Sequence, residues 1–493
     1  MKVSITSHIL FLIICSVIIF IPRAEAQISP VNEPSVGFSN SFMGSDSELP
    51  FWFYANRDGL VKPGARYQNI AKIWAHDRLI DNPEGVSLMA GAETAARLVD
   101  TGNTIHFLQL YAAAEYRSFR LSAGRFYDTR GIYMEPLTMG SMTQSRNATP
   151  VPKIKLETIG YTDVPFTDGR LQFHATWSEG LLEEERFVES PYLHQKSLHL
   201  KVNIWRLELI GGVDHHVVWG GEIPDCDSRP PQSFSDYLRI VFSQSGSPET
   251  AARPAEVINR LGNTIASYDF GANYRKEDFV LSTYRTFFIE DRPAQRFRSP
   301  WDGVWGIGFE RRDKNRLLNG ILYEHMNTIW QDAKGPVPEG RANYYNHSFY
   351  RTGWSYHGSV LGNPLIIFDS TIESGQQPVT NNQILAHHLG INGTLTNSLT
   401  YTLFANYSRN YGVCNDRLEL TSCGHFNVTE PPPENVIVHP RSEFREDRYS
   451  LFFRMNYEVK RFNGVALQGA AAIDRGSFSN SLNGLMIGIT WQQ

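Results

Sequence analysis

The stretch Asp447–Phe462, DRYSLFFRMNYEVKRF, constrains the fold of this chain more than any other. Every second residue from Tyr449 is apolar: Tyr449, Leu451, Phe453, Met455, Tyr457 and Val459. The positions between them include Arg454, Asn456, Glu458 and Lys460. Successive side chains of a strand point to opposite faces, so this run has one greasy face and one that must meet water. The run alone leaves open whether the greasy face meets the dry core of a soluble β-sandwich or lipid.

The pattern recurs. Leu485, Ile487, Ile489 and Trp491 alternate with smaller or more polar residues, as do Val465, Leu467, Gly469, Ala471 and Ile473, and Leu399, Tyr401, Leu403, Ala405 and Tyr407. Counting back from the C-terminus predicts strands at 482–491, 464–474, 448–460, 398–410, 383–394, 362–369, 344–351, 317–330, 303–311, 279–289, 265–275, 207–219, 196–205, 170–178, 151–160, 118–127, 105–116 and 86–98. The alternation is weakest at 344–351, 362–369 and 151–160. Eighteen is an even number, which single-chain bacterial barrels require. Connections alternate between short and long, another barrel habit. The longer ones fall on one side, at 128–150, 179–195, 220–264, 290–302, 331–343, 370–382 and 411–447. On the other side only Thr352–Leu361 is long and aromatic-rich, and it is expected to fold into the lumen.

Three features favour lipid as the apolar phase. About eighteen strands are too many for one sandwich. Tyr449 and Tyr457 bracket one strand and Tyr401 and Tyr407 another, as interfacial girdles do. The final strand alternates and ends near Trp491. A lipid-facing Arg or Lys near the bilayer midplane costs about 2–4 kcal/mol, so Arg454 and Lys460 are expected to face a watery lumen. The expected fold class is all-β: a transmembrane antiparallel β-barrel of about 18 strands over residues 86–493, with a small, partly helical N-terminal element.

That N-terminal part divides in two. Lys2, the apolar run Ile9–Ile21 and Ala24-Glu25-Ala26 read as a cleaved signal peptide, residues 1–26. The apolar run is shorter than the roughly 20 residues a spanning helix needs. Residues 27–85 are expected to form a periplasmic or plug segment. Ser35–Ser47 is polar and rich in Gly and Ser, and Leu49–Tyr54 is an aromatic run. Tyr67–Leu79 places Ile70, Ile73, Trp74 and Leu79 near helical spacing; the alternative is a strand at 51–56 added to the sheet. Of the cysteines beyond the signal peptide, Cys414 and Cys423 are expected to bridge in an oxidising compartment, and Cys226 has no assigned role.

With 46 Lys+Arg against 51 Asp+Glu, the net charge of −5 leaves no basic footprint for nucleic acid. His215-His216 and His387-His388 resemble metal pairs, but neighbouring strand residues point to opposite faces, so neither doublet chelates from one face. No metal, no cofactor and no catalytic nucleophile are expected, and the chain is read as a non-enzyme.

The densest polar-aromatic stretch is Arg341–Leu365, RANYYNHSFYRTGWSYHGSVLGNPL. Aromatic rings cover the apolar faces of sugars while Asn, Arg and His bond hydroxyls, so this composition suits a glycan surface. Packing inside a barrel would use the same residues. The candidate glycan contacts are Tyr344, Tyr345, His347, Arg351 and Trp354, with Arg146 and Asn147 from Gly140–Ile154.

NYYNHSFYRTGW, AHHLGINGTL (Ala386–Leu395), ELPFWFYANRDG (Glu48–Gly59), LQLYAAAEYRSFRLSAGRFYD (Leu108–Asp128), GSMTQSRNATPVPKI (Gly140–Ile154), VVWGGE (Val217–Glu222) and DGVWGIGFE (Asp302–Glu310) together resemble the capsule-assembly Wzi family of outer-membrane proteins. The likeness runs from about Glu48 to Trp491. It implies an eighteen-stranded outer-membrane barrel that holds capsular or other surface polysaccharide in a lectin-like way. The expected partners are that polysaccharide, outer-membrane lipid and lipopolysaccharide, and the protein is expected to work as a monomer. The alternative is a porin-like channel for sugars or oligosaccharides.

Overall fold

In the computed structural model the last strand returns to pair with the first, closing the sheet. The structure describes residues 34–99, 102–224, 229–247, 260–290, 297, 299–331, 342–372, 375–413, 418–420, 426–428, 445–478 and 480–493. The expected signal peptide, Cys226, Cys414 and Cys423 lie outside these residues.

The first nine strands are β1 Ser35–Ser45, β2 Tyr67–Ile80, β3 Val86–Val99, β4 Thr104–Tyr116, β5 Phe119–Arg125, β6 Pro152–Thr158, β7 Leu171–Leu181, β8 Tyr192–Ile204 and β9 Leu207–Trp219. After an irregular stretch, Thr162–Asp163 continues β6 along β7. The other nine are β10 Asn263–Arg275, β11 Phe279–Glu290, β12 Gly303–Arg311, β13 Gly320–Asn327, β14 Ile384–Thr396, β15 Leu399–Asn410, β16 Glu446–Glu458, β17 Val465–Gly476 and β18 Leu482–Gln492. Every strand pairs antiparallel with its neighbours in sequence, giving an 18-strand barrel. β18 closes on β1 with Phe38 opposite Trp491 and Phe42 opposite Ile487. The Val36 amide donates to the Gln493 carbonyl at 2.9 Å across the same seam.

The opening alternation holds. On β16, Tyr449, Leu451, Met455 and Tyr457 are exposed on the outer wall, while Arg448, Ser450 and Phe452 are buried inside. On β18 the outward residues Leu485 and Ile487 are 70% and 68% exposed, whereas the inward Met486 is buried. Aromatic rings mark the rim. Trp301, Trp305, His325, His387, Tyr407 and Tyr449 form a chain of adjacent rings across the outer wall, from the loop before β12 to β16. Tyr401 and Tyr457 lie at the opposite ends of their strands. Such paired girdles are how a barrel meets the two interfaces of a bilayer.

The expected number of strands is right, but two members differ. Residues 344–351 and 362–369 are not barrel strands; β1 and β2 take those places, so the barrel begins near residue 35 rather than 86. Tyr67–Leu79, read as near-helical, is β2. Its apolar residues serve two masters: Ile73 and Leu79 are exposed outward, while Ile70 is buried against the interior core. Apolar residues on both faces hide the period of two. On β1 the signal is thin because only Val36, Phe38 and Phe42 are large and outward among small polar neighbours.

The longest connections then fall at one end, which also holds the short links 100–103 and 477–481; the other end carries mostly tight turns, with 159–170 the longest. Segment 46–66 between β1 and β2, 126–151 between β5 and β6, and 328–383 between β13 and β14 start from the long-loop end. Much of each folds into the ring, so 126–151 is not the external loop expected. Thr352–Leu361 does enter the lumen, but from the long-loop end, as part of 328–383. The partly helical element survives only as α1, Phe51–Tyr54, whose first three residues are buried inside the barrel. The Phe51 amide donates to Asp474 of β17 at 2.8 Å, and Trp52 packs on His388 and Phe404. A second helix, α2 Phe234–Val241, begins with a Ser233–Asp236 capping box and lies on the outer wall, where Tyr237 donates to Glu179 at 2.7 Å. Among the described residues no helix is long and apolar enough to cross a membrane.

Ile487→Arg places a cation on the outer wall midway along β18. It should lower barrel stability by about 2–4 kcal/mol in a bilayer, read by urea unfolding in liposomes. An unchanged midpoint would mean that this wall does not face hydrocarbon.

Candidate functional site in the barrel lumen

Loops buried inside a barrel cannot lean on bulk water, so their backbone groups need partners from the protein. The 342–366 segment meets this demand with aromatic and amide side chains. The Tyr344 hydroxyl donates to Asp302 at 2.8 Å. Trp354 Nε1 donates to the Thr143 carbonyl at 2.8 Å. The Tyr345 hydroxyl donates to the Met142 carbonyl and accepts from the Asn363 amide at 3.0 Å. Tyr345 holds a left-handed backbone at φ 70°, which bulky residues rarely adopt, and its amide is tied to Glu290 at 3.2 Å. Gly353 sits over it at φ 70°, where a Cβ would come within 2.3 Å of the Tyr345 carbonyl oxygen. Asn363 donates to Gly140 at 2.8 Å and Asn147 to Val360 at 3.2 Å, joining this segment to 126–151.

The 126–151 segment is held by charge. Asp128 is buried among Arg130 at 2.9 Å, Lys153 at 2.6 Å and Lys155 at 2.8 Å. Burial alone would raise its carboxyl, but the three cations hold it well below the usual carboxylate range. Glu324 of β13 accepts from Thr138 at 2.7 Å, the Met139 amide at 2.6 Å and the Tyr284 hydroxyl.

Ion pairs also line the inner wall. Lys72 of β2 meets Glu93 of β3 at 2.8 Å. Glu115 of β4 is shared by Arg78 of β2 at 3.1 Å and Arg120 of β5 at 2.6 Å. Glu157 of β6 joins Lys155 at 2.7 Å. Arg57 and Arg454 flank the Phe452 ring at 6.0 and 5.9 Å. Burial pushes the Arg57 guanidinium down to about 10, and Arg454 adds to the effect.

These contacts sort the expected sugar-binding residues. Tyr344, Tyr345 and Trp354 have no exposed surface and Arg351 has almost none, so as packed they cannot touch a sugar. They build the interior core with Phe349, Leu361 and Leu365. Arg351 caps Gly375 at 3.1 Å and lies over Phe187. His347 is half-buried and accepts from the Phe349 and Tyr350 amides at 3.1 and 3.0 Å. Arg146 keeps 43% of its side-chain surface while pairing with Asp58 at 2.7 Å and covering Tyr127. Asn147 is half-buried. The ion-pair network around Asp128 and the meeting of Arg57 with Phe452 and Arg454 escaped the sequence reading, because each joins segments far apart in the chain.

The histidine doublets split as adjacent strand residues must. His216 points inward to Gln195 at 3.0 Å and His215 outward toward His194. His388 donates inward to Leu137 at 2.8 Å while His387 meets Tyr323 on the outer wall.

A family profile described as capsule assembly protein Wzi matches residues 44–380, more than half of the chain. This chain belongs to the Wzi family. Among solved structures it is similar to Escherichia coli Wzi, described as an outer-membrane protein involved in group 1 capsule assembly and a carbohydrate-binding β-barrel. The TM-score is 0.54 at 14% identity, covering 92% of this chain and 84% of that one. It is also similar to Acinetobacter baumannii OccAB4, with TM-score 0.45, 9% identity and coverage of 94% and 99%. Pseudomonas aeruginosa OprD follows with TM-score 0.41, 10% identity and coverage of 96% and 98%. No curated protein matches. In this Wzi-family chain the matched span stops at 380, so it takes in 46–66, 126–151 and all but the last three residues of 328–383, and ends before β14.

Asp128→Asn would leave Arg130, Lys153 and Lys155 without their shared carboxylate. Removing one partner of a buried ion pair costs about 3–5 kcal/mol, so the variant should unfold at a distinctly lower temperature at pH 7, read by heat-modifiability on gels. The Asp128 carboxyl is depressed in the fold. Its stabilisation is therefore complete above the unfolded value of about 3.9 and lost only as pH falls through the lower native value. Wild type and variant should converge in strong acid and differ fully near neutrality.

Proposed function

We propose that this chain resides in the outer membrane and retains capsular polysaccharide at the cell surface as a non-enzymatic, lectin-like barrel. The observation that carries the reading is membership of the Wzi family over residues 44–380. The carbohydrate binding described for the E. coli protein points the same way. Lipid and lipopolysaccharide surround the apolar outer wall, and the protein acts as a monomer. Of the residues expected to contact glycan, Arg146, Asn147 and His347 keep surface for the task. Tyr344, Tyr345, Arg351 and Trp354 support them from beneath.

A sugar channel is the competing reading. The aromatic core between 342 and 366 occupies the space a permeant would need. In planar bilayers the wild-type protein should therefore conduct far less than an open barrel of equal strand number. Deleting the gene should thin the cell-associated polysaccharide layer and shed polymer into the medium, seen by imaging and by assay of the supernatant. Complementation with Arg146→Ala should restore the layer only in part. An unchanged layer after deletion, with nothing shed, would sink the proposal.

A further inference from the structure

Three neighbouring strands bring His199 of β8, Asp214 of β9 and Asp269 of β10 to one point on the inner wall. One nitrogen or oxygen from each lies within 4.8 Å of the others, and all three residues are buried. The register explains how. His199 stands opposite Gly212, and Gly212 stands opposite Asp269. Gly212 has no side chain, so the imidazole crosses over the central strand and its Nε2 reaches Asp269 at 2.9 Å. A Cβ on Gly212 would lie 2.2 Å from His199 Cδ2. Asp214 follows two residues later on the same face, flanked by Ser197 and Ser267.

The carboxylates are underserved. Among the described residues neither oxygen of Asp214 has a hydrogen-bond partner, nor does Asp269 Oδ1, and both residues have no exposed surface. Among the described residues no Lys or Arg forms an ion pair with either. Arg130 acts on Asp214 electrostatically, but its Nη1 and Nη2 donate to Thr176, Asp128 and Ser178, and its Nε has no hydrogen-bond partner among the described residues. An isolated buried carboxylate costs several kcal/mol, so such groups neutralise, pair or coordinate a metal. The Asp128 cluster shows how this protein handles a buried acid elsewhere, with three cations around one carboxylate.

We propose that His199, Asp214 and Asp269 bind a divalent transition-metal cation. One imidazole nitrogen and two carboxylates suit zinc or manganese, with remaining positions open to water. The ion would neutralise the two acids and cross-link β8, β9 and β10 from inside. It serves the barrel wall and is independent of the polysaccharide reading.

The test uses tag-free, detergent-solubilised full-length protein, stripped with chelator and checked for folding by heat-modifiability. Zinc and manganese are titrated separately, with calcium as comparator, and metal content is measured by mass spectrometry after dialysis. Wild type should retain one zinc or manganese per chain and unfold at a higher temperature with the metal than with chelator. Asp214→Asn and Asp269→Asn should bind at least about tenfold more weakly and lose that thermal shift. Gly212→Ala, which keeps every ligand but displaces the imidazole, should weaken binding as well. Should a variant fail to fold, the wild-type chelator shift still decides. Overturning results are a wild type that retains neither metal and ignores chelator, as expected if ordered water or a shared proton satisfies the acids, or retention that is equal in Asp214→Asn, which would place the ion on surface histidines.

Discussion

Hydrocarbon offers no hydrogen bond, so every backbone N–H and C=O that crosses it must be bonded within the protein. The β1–β18 seam is where this chain meets that demand. Without the pairing of Gly37–Ser45 to Gly484–Gln492, two strand edges would lie open in lipid. Closure then fixes everything else. Once the ring is sealed, alternation decides which side chains see lipid and which see the lumen, residue by residue. Leu451 and Met455 go out because Arg448 and Arg454 must go in.

An eighteen-stranded ring is too wide for its own side chains to fill. The infolded segments answer this, under rules unlike those of the wall. Their backbone is irregular, so its polar groups are bonded by side chains: Asn363 to Gly140, Asn382 to Tyr344, Trp354 to Thr143, and Arg186 to Gly353 and Ser355. Amides, guanidiniums and aromatic rings with a polar tip do this work well, since each pairs an apolar body with a directed donor. A sugar-binding surface needs the same kit. The composition of Arg341–Leu365 therefore cannot separate a binding face from an irregular core, and burial decides in favour of the core.

This marks the limit of what the sequence makes legible. The outer wall is readable because lipid is a uniform solvent that favours apolar residues at outward positions along the middle of β14–β18. β2 is not, because Ile70 packs inward on the interior core and puts apolar residues on both faces, and β1 is not, because few of its outward residues are large. The splitting of His387 from His388 follows from strand geometry alone. The meeting of His199, Asp214 and Asp269 does not, since it depends on the register of β8, β9 and β10 and on a glycine whose importance lies in what it lacks. Likewise Tyr344, Tyr345 and Trp354 carry the right chemistry for a sugar and the wrong accessibility.

Binding and transport make opposite demands on the infolded segments. On the proposed reading the infolded segments fill the lumen, and transport through the ring would require them to move aside. That motion would strip Asp128 of Lys153 and Lys155, which belong to the wall, and would take from Glu324 the Thr138 hydroxyl and Met139 amide that it accepts. A static filling has the opposite merit. It holds partly exposed groups such as Arg146 and Asn147 in fixed positions, so a polymer that meets them loses its own freedom without also having to order the protein. On the proposed reading, the same filling that would oppose a pore suits a holder.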